Sequence, residues 1–371
     1  MAWRRCYLDL PFLERFTHRF VLHERSQCFY EARILNKLAL RIIFLVLLCL
    51  AWTTSAASAQ THFETNVTPL PDEDIDGPCH YTLDLPASTK SIQAVWIIFV
   101  RGRDIHDLAN DPDTLAFAQQ FHLALLLQSH CPGKRAEDRG DMNMDPANGL
   151  GPALLRSLKQ FAQSSSHPEL SHAPFILLGF SGAGPLSARF VNAYPQRTLA
   201  AILSAPGHFS PQGIDTVSLS EQAQAVPQLI LAGGADDRSG TQLPYDYFLR
   251  YRRLGAPWTF VLQNNAPHCC TANAKTLMLA WLTEVLTRRL PRKPNDPLRK
   301  INQRKDWQGF IETETTIVRD SFGKQTFNAV HASIRRQSNL AKDASWLPNA
   351  VVAREWLAFV QQEHHPILPL H

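Results

Sequence analysis

The sequence predicts an α/β fold: a mostly parallel sheet with helices on both faces, no large lid, and a small C-terminal extension. Between residues 92 and 290, apolar runs of strand length alternate with segments of helical periodicity. The apolar runs are continuous, which is typical of parallel strands that helices cover on both faces. Beyond residue 290 this alternation stops, so we place a domain boundary near residue 291.

Six strands and five helices are predicted in this region, in chain order. The strands are IQAVWIIFV, LALLLQSH, FILLGF, LAAILSAPG, VPQLILAGG and PWTFVLQNN. The helices are PDTLAFAQQFH, GPALLRSLKQFAQ, the segment that starts at Gly184, LPYDYFLRYRRLG and AKTLMLAWLTEVLTRRL. Only about twenty residues separate the fourth strand from the fifth. This leaves no room for a sizeable lid, so we predict that the ends of these strands are open to solvent.

Composition and charge exclude some classes of protein. The chain has 45% hydrophobic and 19% charged residues, so it can bury a full core and is not a disordered chain. Its formal net charge of +4 is small for 371 residues and makes no case for nucleic acid. We therefore predict a globular protein without a nucleic-acid partner.

The N-terminal residues 1–59 are predicted to be an extension and a signal peptide. Lys37 and Arg41 precede the eleven-residue apolar run 42–52, and the small-residue stretch TTSAASAQ follows. Ala57 and Ala59 are placed for cleavage near Ala59, so we predict a secreted or periplasmic protein. The apolar run is shorter than the roughly twenty residues that span a bilayer, which argues against a stable membrane span. A translation start downstream of residues 1–36 would explain why the apolar run lies unusually far from the first residue.

Four of the seven cysteines remain in a mature chain that starts at residue 60. Export permits disulfides between them, and three pairings are possible. Adjacent Cα atoms lie about 3.8 Å apart, closer than most bridged pairs, which argues against joining Cys269 to Cys270. Cys79–Cys131 is our first choice, and the pairing stays open.

No metal site is predicted. Three histidines adjoin cysteines, but the spacings of zinc sites are missing. The stretches PDEDIDG and GDMNMDP begin with the residue spacing of a calcium-binding loop. The first stretch lacks a ligand at the twelfth position of such a loop, and the second lacks the required glycine. We interpret both as ordinary loops.

The C-terminal extension, residues 291–371, begins in a basic run. Residues 288–305 hold eight basic and one acidic residue, which indicates a solvated linker or, as an alternative, a patch for anionic lipid or polymer. Further on, ETETTIVRD is predicted as a strand and WLPNAVVAREWLAFVQQ as a helix with Pro348 in its first turn.

Three residue types that suit nucleophilic catalysis each follow a predicted strand. Ser181 follows FILLGF at a strand-to-helix corner, Asp236 comes 55 residues later after VPQLILAGG, and His268 comes 32 residues later again after PWTFVLQNN. A serine hydroxyl needs a base to take its proton, and that base needs an acid to orient it. Because the carboxyl ends of parallel strands share one edge of the sheet, these side chains are expected to meet.

This order resembles that of the α/β-hydrolase superfamily, on the motifs LLGFSGAG, LAGGADD and NNAPHC. Residues 60–290 would then be the catalytic domain, similar to secreted esterases of the polyhydroxybutyrate-depolymerase or dienelactone-hydrolase kind. The resemblance implies Ser181 as nucleophile, Asp236 as acid and His268 as base, with Asp237 as the alternative acid. One departure is Ala183, which stands where the second glycine of the serine motif is usual.

The resemblance also implies an oxyanion hole made of two backbone N–H groups. One belongs to Gly182, directly after the serine, and the other comes from the loop RGRDIHD, where Arg103 is the first choice. A pairing of Arg103 with Asp104 that merely holds this loop is the alternative.

The expected function is hydrolysis of carboxylic esters through an acyl-enzyme, with no metal or organic cofactor. A small molecule and a polymer are both open as the ester substrate, and the oligomeric state is not indicated. A serine peptidase or acyltransferase would use the same residues. A non-catalytic secreted binding protein on a hydrolase scaffold is the alternative from another class.

Overall fold

A computed structural model describes residues 61–365, apart from residues 88, 100–102, 135–145, 208–216, 294–295, 315–317, 320–323, 337–338 and 340. The predicted signal peptide and the stretch GDMNMD lie outside the described residues. No helix in the described part of the chain is long and apolar enough to cross a membrane.

Eight strands of the described residues form one mostly parallel sheet, in the order β1-β2-β4-β3-β5-β6-β7-β8. Strands β1 and β2 are antiparallel to their neighbours, whereas β3 to β8 are parallel. The predicted fold class is confirmed. The strands are β1 Thr61–Val67, β2 Cys79–Leu85, β3 Ala94–Phe99, β4 Leu123–His130, β5 Phe175–Phe180, β6 Thr198–Ser204, β7 Gln228–Gly233 and β8 Trp258–Gln263.

Helices cover both faces of this sheet. They are α1 Arg103–Ala109, α2 Pro112–Phe121, α3 Leu150–Ser164, α4 Ala183–Ala193, α5 Glu221–Gln224, α6 Gln242–Arg252 and α7 Lys275–Arg289. The connection from β3 to β4 runs toward one edge of the sheet, and the connections after β4 run toward the other edge. Because crossovers between parallel strands are right-handed, α2 lies on one face and α3, α4 and α6 lie on the other. Lys275, at the start of α7, binds Asp111 at 2.7 Å beside the start of α2, so α7 lies on the face of α2.

The antiparallel pair β1–β2 was not predicted. In β2, CHYTLDL, buried residues alternate with half-buried ones, and β1, THFETNV, is largely polar. Neither strand has the continuous apolar run that marks β3 to β8. A half-buried strand at a sheet edge therefore gives a weaker signal than a central one.

Two disulfides join the four cysteines of the described residues. Cys79–Cys131 joins the start of β2 to the residue after β4, as expected. The argument against joining Cys269 to Cys270 is wrong, because these neighbours are bonded with a Cα–Cα distance of 3.7 Å. Cys270 adopts the left-handed conformation, φ +76°, at the start of the 3₁₀ turn Thr271–Ala274, and this backbone accommodates the small ring.

The C-terminal residues form a second, antiparallel sheet with a helix. Its strands are β9 Trp307–Thr313, β12 Ala329–Arg336 and β13 Ser345–Leu347 in the order β12-β9-β13, with a short pair β10 Val318–Arg319 and β11 Gln325–Thr326 and the helix α8 Ala350–Val360. The strand expected in ETETTIVRD is observed at the two ends of this stretch, because β9 ends at Thr313 and β10 is Val318–Arg319, while residues 315–317 lie outside the described residues. Pro348 lies before α8 rather than in its first turn, because Asn349 caps the helix by accepting from the N–H of Val352.

The interpretation of the basic run as a solvated linker is wrong for three of its arginines. Arg289 is buried and donates to the Thr198 carbonyl at 2.9 Å, and burial lowers its pKa to about 10. Arg288 binds Asp306 at 2.8 Å, and Arg299 donates to a carbonyl of the chain at 2.7 Å. These guanidinium groups fix the path of the chain where it leaves α7.

The C-terminal elements pack directly on β8. Ser345 hydrogen bonds with both backbone groups of Phe260, and the indole N–H of Trp356 donates to the Phe260 carbonyl at 2.8 Å. The division into residues 60–290 and 291–371 stays a prediction.

We expect Trp356→Ala to lower the free energy of unfolding by about 3–5 kcal/mol, because the indole is fully buried between the two sheets. Val351→Ala on the same helix is the matched control. Its side chain is 49% exposed, and its loss should cost less than about 1 kcal/mol. Urea unfolding of both variants measures the difference, and equal losses would contradict this packing.

Candidate active site

Ser181 lies at the corner between β5 and α4 in a left-handed backbone conformation, φ +55°, which is uncommon for a residue other than glycine. Its N–H donates to the Ser204 carbonyl at 2.9 Å, and its carbonyl accepts from the N–H of Gly184 at 3.0 Å. These bonds hold the corner in its strained form. The half-buried side chain therefore leaves the chain at the carboxyl edge of the sheet.

Close backbone approaches explain the small residues around Ser181. A Cβ on Gly179 would lie 2.0 Å from the carbonyl oxygen of Ala183, so only glycine fits before the corner. A Cβ on Gly184 would lie 2.6 Å from Pro206. The close approach after the corner is thus made by Gly184, and a methyl group on the buried Ala183 is tolerated.

The structure brings Ser181, His268 and Asp236 together, as expected from the sequence. The serine Oγ lies 2.9 Å from Nε2 of the imidazole. On the other side of the ring, Nδ1 lies 2.9 Å from Oδ2 and 3.0 Å from Oδ1 of the aspartate. A hydroxyl, an imidazole and a carboxylate therefore form one continuous hydrogen-bonded chain.

Asp236, and not Asp237, faces the imidazole. Its side chain is fully buried, and Oδ1 also accepts from the backbone N–H groups of Arg238 at 3.0 Å and Ser239 at 2.8 Å. Asp237 is exposed to solvent. Two backbone N–H groups fix the orientation of the Asp236 carboxylate, and Asp237 has no comparable hydrogen bonds within the described residues.

Two further residues contact His268, and sequence reasoning missed both. The ring of Phe180 lies 5.0 Å from the imidazole centroid, and the hydroxyl of Ser239 lies 3.3 Å from Nδ1. Only 9% of the His268 side chain is exposed. Phe180 lies inside the motif LLGFSGAG and Ser239 lies two residues beyond LAGGADD, but neither residue type has a fixed role in those motifs.

The residues after His268 are tied back to the serine corner. The Thr271 hydroxyl lies 2.7 Å from the Ser204 hydroxyl, and both side chains are fully buried. Ser204 also accepts the N–H of Ser181 through its carbonyl. One residue at the end of β6 therefore links the loop of the imidazole to the corner of the nucleophile.

C-terminal residues support the loop that carries His268. The side-chain oxygen of Asn328 accepts from the N–H of Asn265 at 2.8 Å. Asn264, which is 8% exposed, accepts from the N–H of Ala329 at 2.8 Å and donates to the Val360 carbonyl at 2.9 Å. The extension after residue 290 therefore contacts the chain within four residues of the imidazole.

The same segment supports the loop that carries Asp236. The N–H of Thr241 donates to the Gln325 carbonyl at 2.9 Å. A Cβ on Gly234 would lie 2.0 Å from the side-chain oxygen of Asn328, so glycine is required where the two segments meet. Sequence reasoning found no purpose for this extension, because its contacts join residues far apart in the chain.

The two predicted backbone donors lie at the ends of neighbouring strands. Gly182 follows Ser181 at the amino-terminal end of α4, where helix N–H groups lack an intrahelical acceptor. Arg103 begins α1 just after β3, which pairs with β5. The reversal in strand order lies at β3 and β5, a place where open α/β sheets bind ligands. Arg101 and Gly102 lie outside the described residues, and the role of the Arg103 N–H stays a prediction.

Within the described residues, no group of three or more His, Cys, Asp or Glu side chains is arranged to hold a metal ion. This holds also for the acidic stretch at residues 72–76.

Comparison with known proteins finds no matching family model and no matching curated protein. Solved structures do match. The chain is similar to XC6422 from Xanthomonas campestris, an α/β serine hydrolase without lid, with 18% identity, coverage of 63% of this chain and 97% of that one, and a TM-score of 0.41. It is also similar to the S-formylglutathione hydrolase FrmB from Staphylococcus aureus, with 14% identity, coverage of 62% and 100%, and a TM-score of 0.43. A ferulic acid esterase matches with 11% identity, coverage of 61% and 98%, and a TM-score of 0.45.

We expect Asp236→Ala to lower the free energy of unfolding by about 1–3 kcal/mol, because it leaves buried hydrogen-bond donors without their acceptor. Asp237→Ala removes an exposed carboxylate and should change stability by less than about 0.5 kcal/mol. Chemical denaturation of the two variants makes the comparison. A larger loss for Asp237→Ala would show that the wrong aspartate has been placed beside the imidazole.

Proposed function

We propose that this chain is a serine hydrolase that cleaves carboxylic esters through an acyl-enzyme. The observation that carries the proposal is the hydrogen-bonded chain from Asp236 through His268 to Ser181. A nucleophile within 2.9 Å of a base, and a base oriented by a buried acid, is the arrangement that activates a hydroxyl. Asp236 is the acid of this proposal, and Asp237 is not needed.

In the first half of the reaction, Nε2 of His268 takes the proton of Ser181 while Oγ attacks the ester carbonyl carbon. Asp236 accepts from Nδ1–H and stabilises the imidazolium that forms. The oxygen of the tetrahedral intermediate accepts from the N–H groups of Gly182 and Arg103. Collapse of this intermediate breaks the bond to the alcohol, which leaves with the proton from Nε2.

In the second half, water replaces the alcohol. His268 takes a proton from the water as its oxygen attacks the acyl-enzyme, and the released acid leaves Ser181 with its proton restored. Every proton in this cycle moves between Nε2, Ser181, the alcohol and water, so the chemistry requires no metal or organic cofactor.

The strained backbone at Ser181 favours catalysis over a silent binding role. A left-handed serine costs on the order of 1–3 kcal/mol, and such strain is concentrated at functional sites. A binding scaffold would lose nothing by relaxing this corner or by separating the three side chains. An ester is favoured over an amide substrate only by the resemblance noted above, so peptide hydrolysis and acyl transfer are outcomes of the substrate tests.

We further propose that the protein is exported. Residues 37–59 have the order of a signal peptide, and two disulfides are formed among the four cysteines that follow. Rates on p-nitrophenyl esters of graded chain length would identify the acyl group, with polyhydroxybutyrate and acetylated sugars tested beside them.

A fluorophosphonate probe tests the proposal most cheaply, because it reacts only with an activated serine. The folded wild-type protein should carry close to one label per molecule, at Ser181, and Ser181→Ala should not be labelled. Ser157→Ala is the control, because this buried serine lies in α3 and donates to the Leu154 carbonyl. Absence of labelling on folded wild-type protein, or equal labelling of Ser181→Ala, would overturn the proposal.

A further inference from the structure

Ser239 contacts three parts of the site at once. The residue is 3% exposed, and its hydroxyl is 3.0 Å from the Ala205 carbonyl oxygen and 3.3 Å from Nδ1 of His268. Its backbone N–H donates to Oδ1 of Asp236 at 2.8 Å. No step of the mechanism above uses this hydroxyl.

Hydrogen-bond accounting determines what the hydroxyl can do. A serine hydroxyl has one hydrogen and two lone pairs, and a carbonyl oxygen can only accept. The hydrogen of Ser239 is therefore directed to Ala205, the closer of its two partners. Only a lone pair is left for His268, so this contact is a hydrogen bond only when Nδ1 carries a proton.

The backbone around Ala205 fixes the position of the carbonyl that accepts from Ser239. Ala205 follows β6 in a left-handed conformation, φ +41°, and its N–H donates to the Leu231 carbonyl at 2.8 Å. Gly207 also lies beside the hydroxyl, since a Cβ there would be 3.0 Å from the Ser239 Oγ. The hydroxyl thus has one fixed acceptor and little room to turn.

Two acceptors therefore face Nδ1 of His268, the Asp236 carboxylate and the Ser239 hydroxyl. A neutral imidazole has one N–H and one unprotonated nitrogen. Protonation of Nδ1 leaves the lone pair on Nε2, which faces the Ser181 hydroxyl at 2.9 Å. When Nε2 takes the serine proton, Nδ1–H keeps both acceptors.

We propose that Ser239 is a positioning residue, which reinforces the tautomer of His268 that Asp236 selects, because the relay from Ala205 to Ser239 gives Nδ1–H a second acceptor. This inference rests on the proposed function for its effect on rate, but its effect on the tautomer does not. A merely structural serine would fill the same space without changing how firmly Nδ1 holds its proton.

Ser239→Ala tests the proposal in the whole protein as it is expressed, with Ser157→Ala as the matched control. Nitrogen and proton NMR of the labelled histidine ring reports the Nδ1–H directly and needs no substrate. In wild type and in Ser157→Ala, we expect a slowly exchanging Nδ1–H and an unprotonated Nε2. In Ser239→Ala, Asp236 still accepts from Nδ1–H, so the signal should remain but exchange with solvent about tenfold faster, and kcat on the best ester should fall about tenfold with KM changed less than about twofold.

Ser239→Cys is the second variant, because the thiol keeps the volume but is a weak acceptor. It should behave like Ser239→Ala, and it preserves the test if the alanine variant does not fold. An unchanged exchange rate of Nδ1–H in the folded variants, with or without a loss of kcat, would overturn the proposal. If fluorophosphonate labelling of wild type fails, the proposed function falls, while the NMR comparison still decides whether Ser239 helps to hold the proton on Nδ1.

Discussion

The arrangement of the site depends on the left-handed backbone at Ser181. This conformation turns the chain from β5 into α4 within one residue, so the hydroxyl projects from the sheet edge instead of packing in it. Such a turn is possible only because Gly179 and Gly184 allow close backbone approach on either side. The hydrogen bond from the Ser181 N–H to the Ser204 carbonyl then holds the corner, so the neighbouring strand stabilises this strained conformation.

A parallel sheet explains how residues distant in the sequence meet at this corner. The ends of β5, β7 and β8 share one edge, and each contributes one member of the hydrogen-bonded chain. Loops at such an edge are mobile unless other parts of the chain hold them. Here Ser204 and Thr271 hold the imidazole loop from the sheet side, and Asn328 holds it from the C-terminal side. The extension after residue 290 is therefore part of the support of the site.

The sequence predicted the central strands and the three meeting residues for physical reasons that apply at those positions. Continuous apolar runs are needed where helices cover both faces, and Ser181, Asp236 and His268 each lie within five residues of the end of such a run. Other features depend on long-range contacts that leave no local pattern. The half-buried strand β2, the support from Asn328 and the relay through Ser239 belong to this group.

The central claim is that Ser181 is the activated nucleophile of an ester hydrolase, and a crystal structure of the protein treated with an alkyl phosphonate tests it most directly. The account predicts continuous density from the phosphorus to Oγ of Ser181, with the phosphoryl oxygen facing the N–H of Gly182 and the imidazole of His268 within hydrogen-bonding distance of Oγ. An unmodified Ser181 in protein that is fully folded, or a phosphonate bonded to another residue, would contradict it.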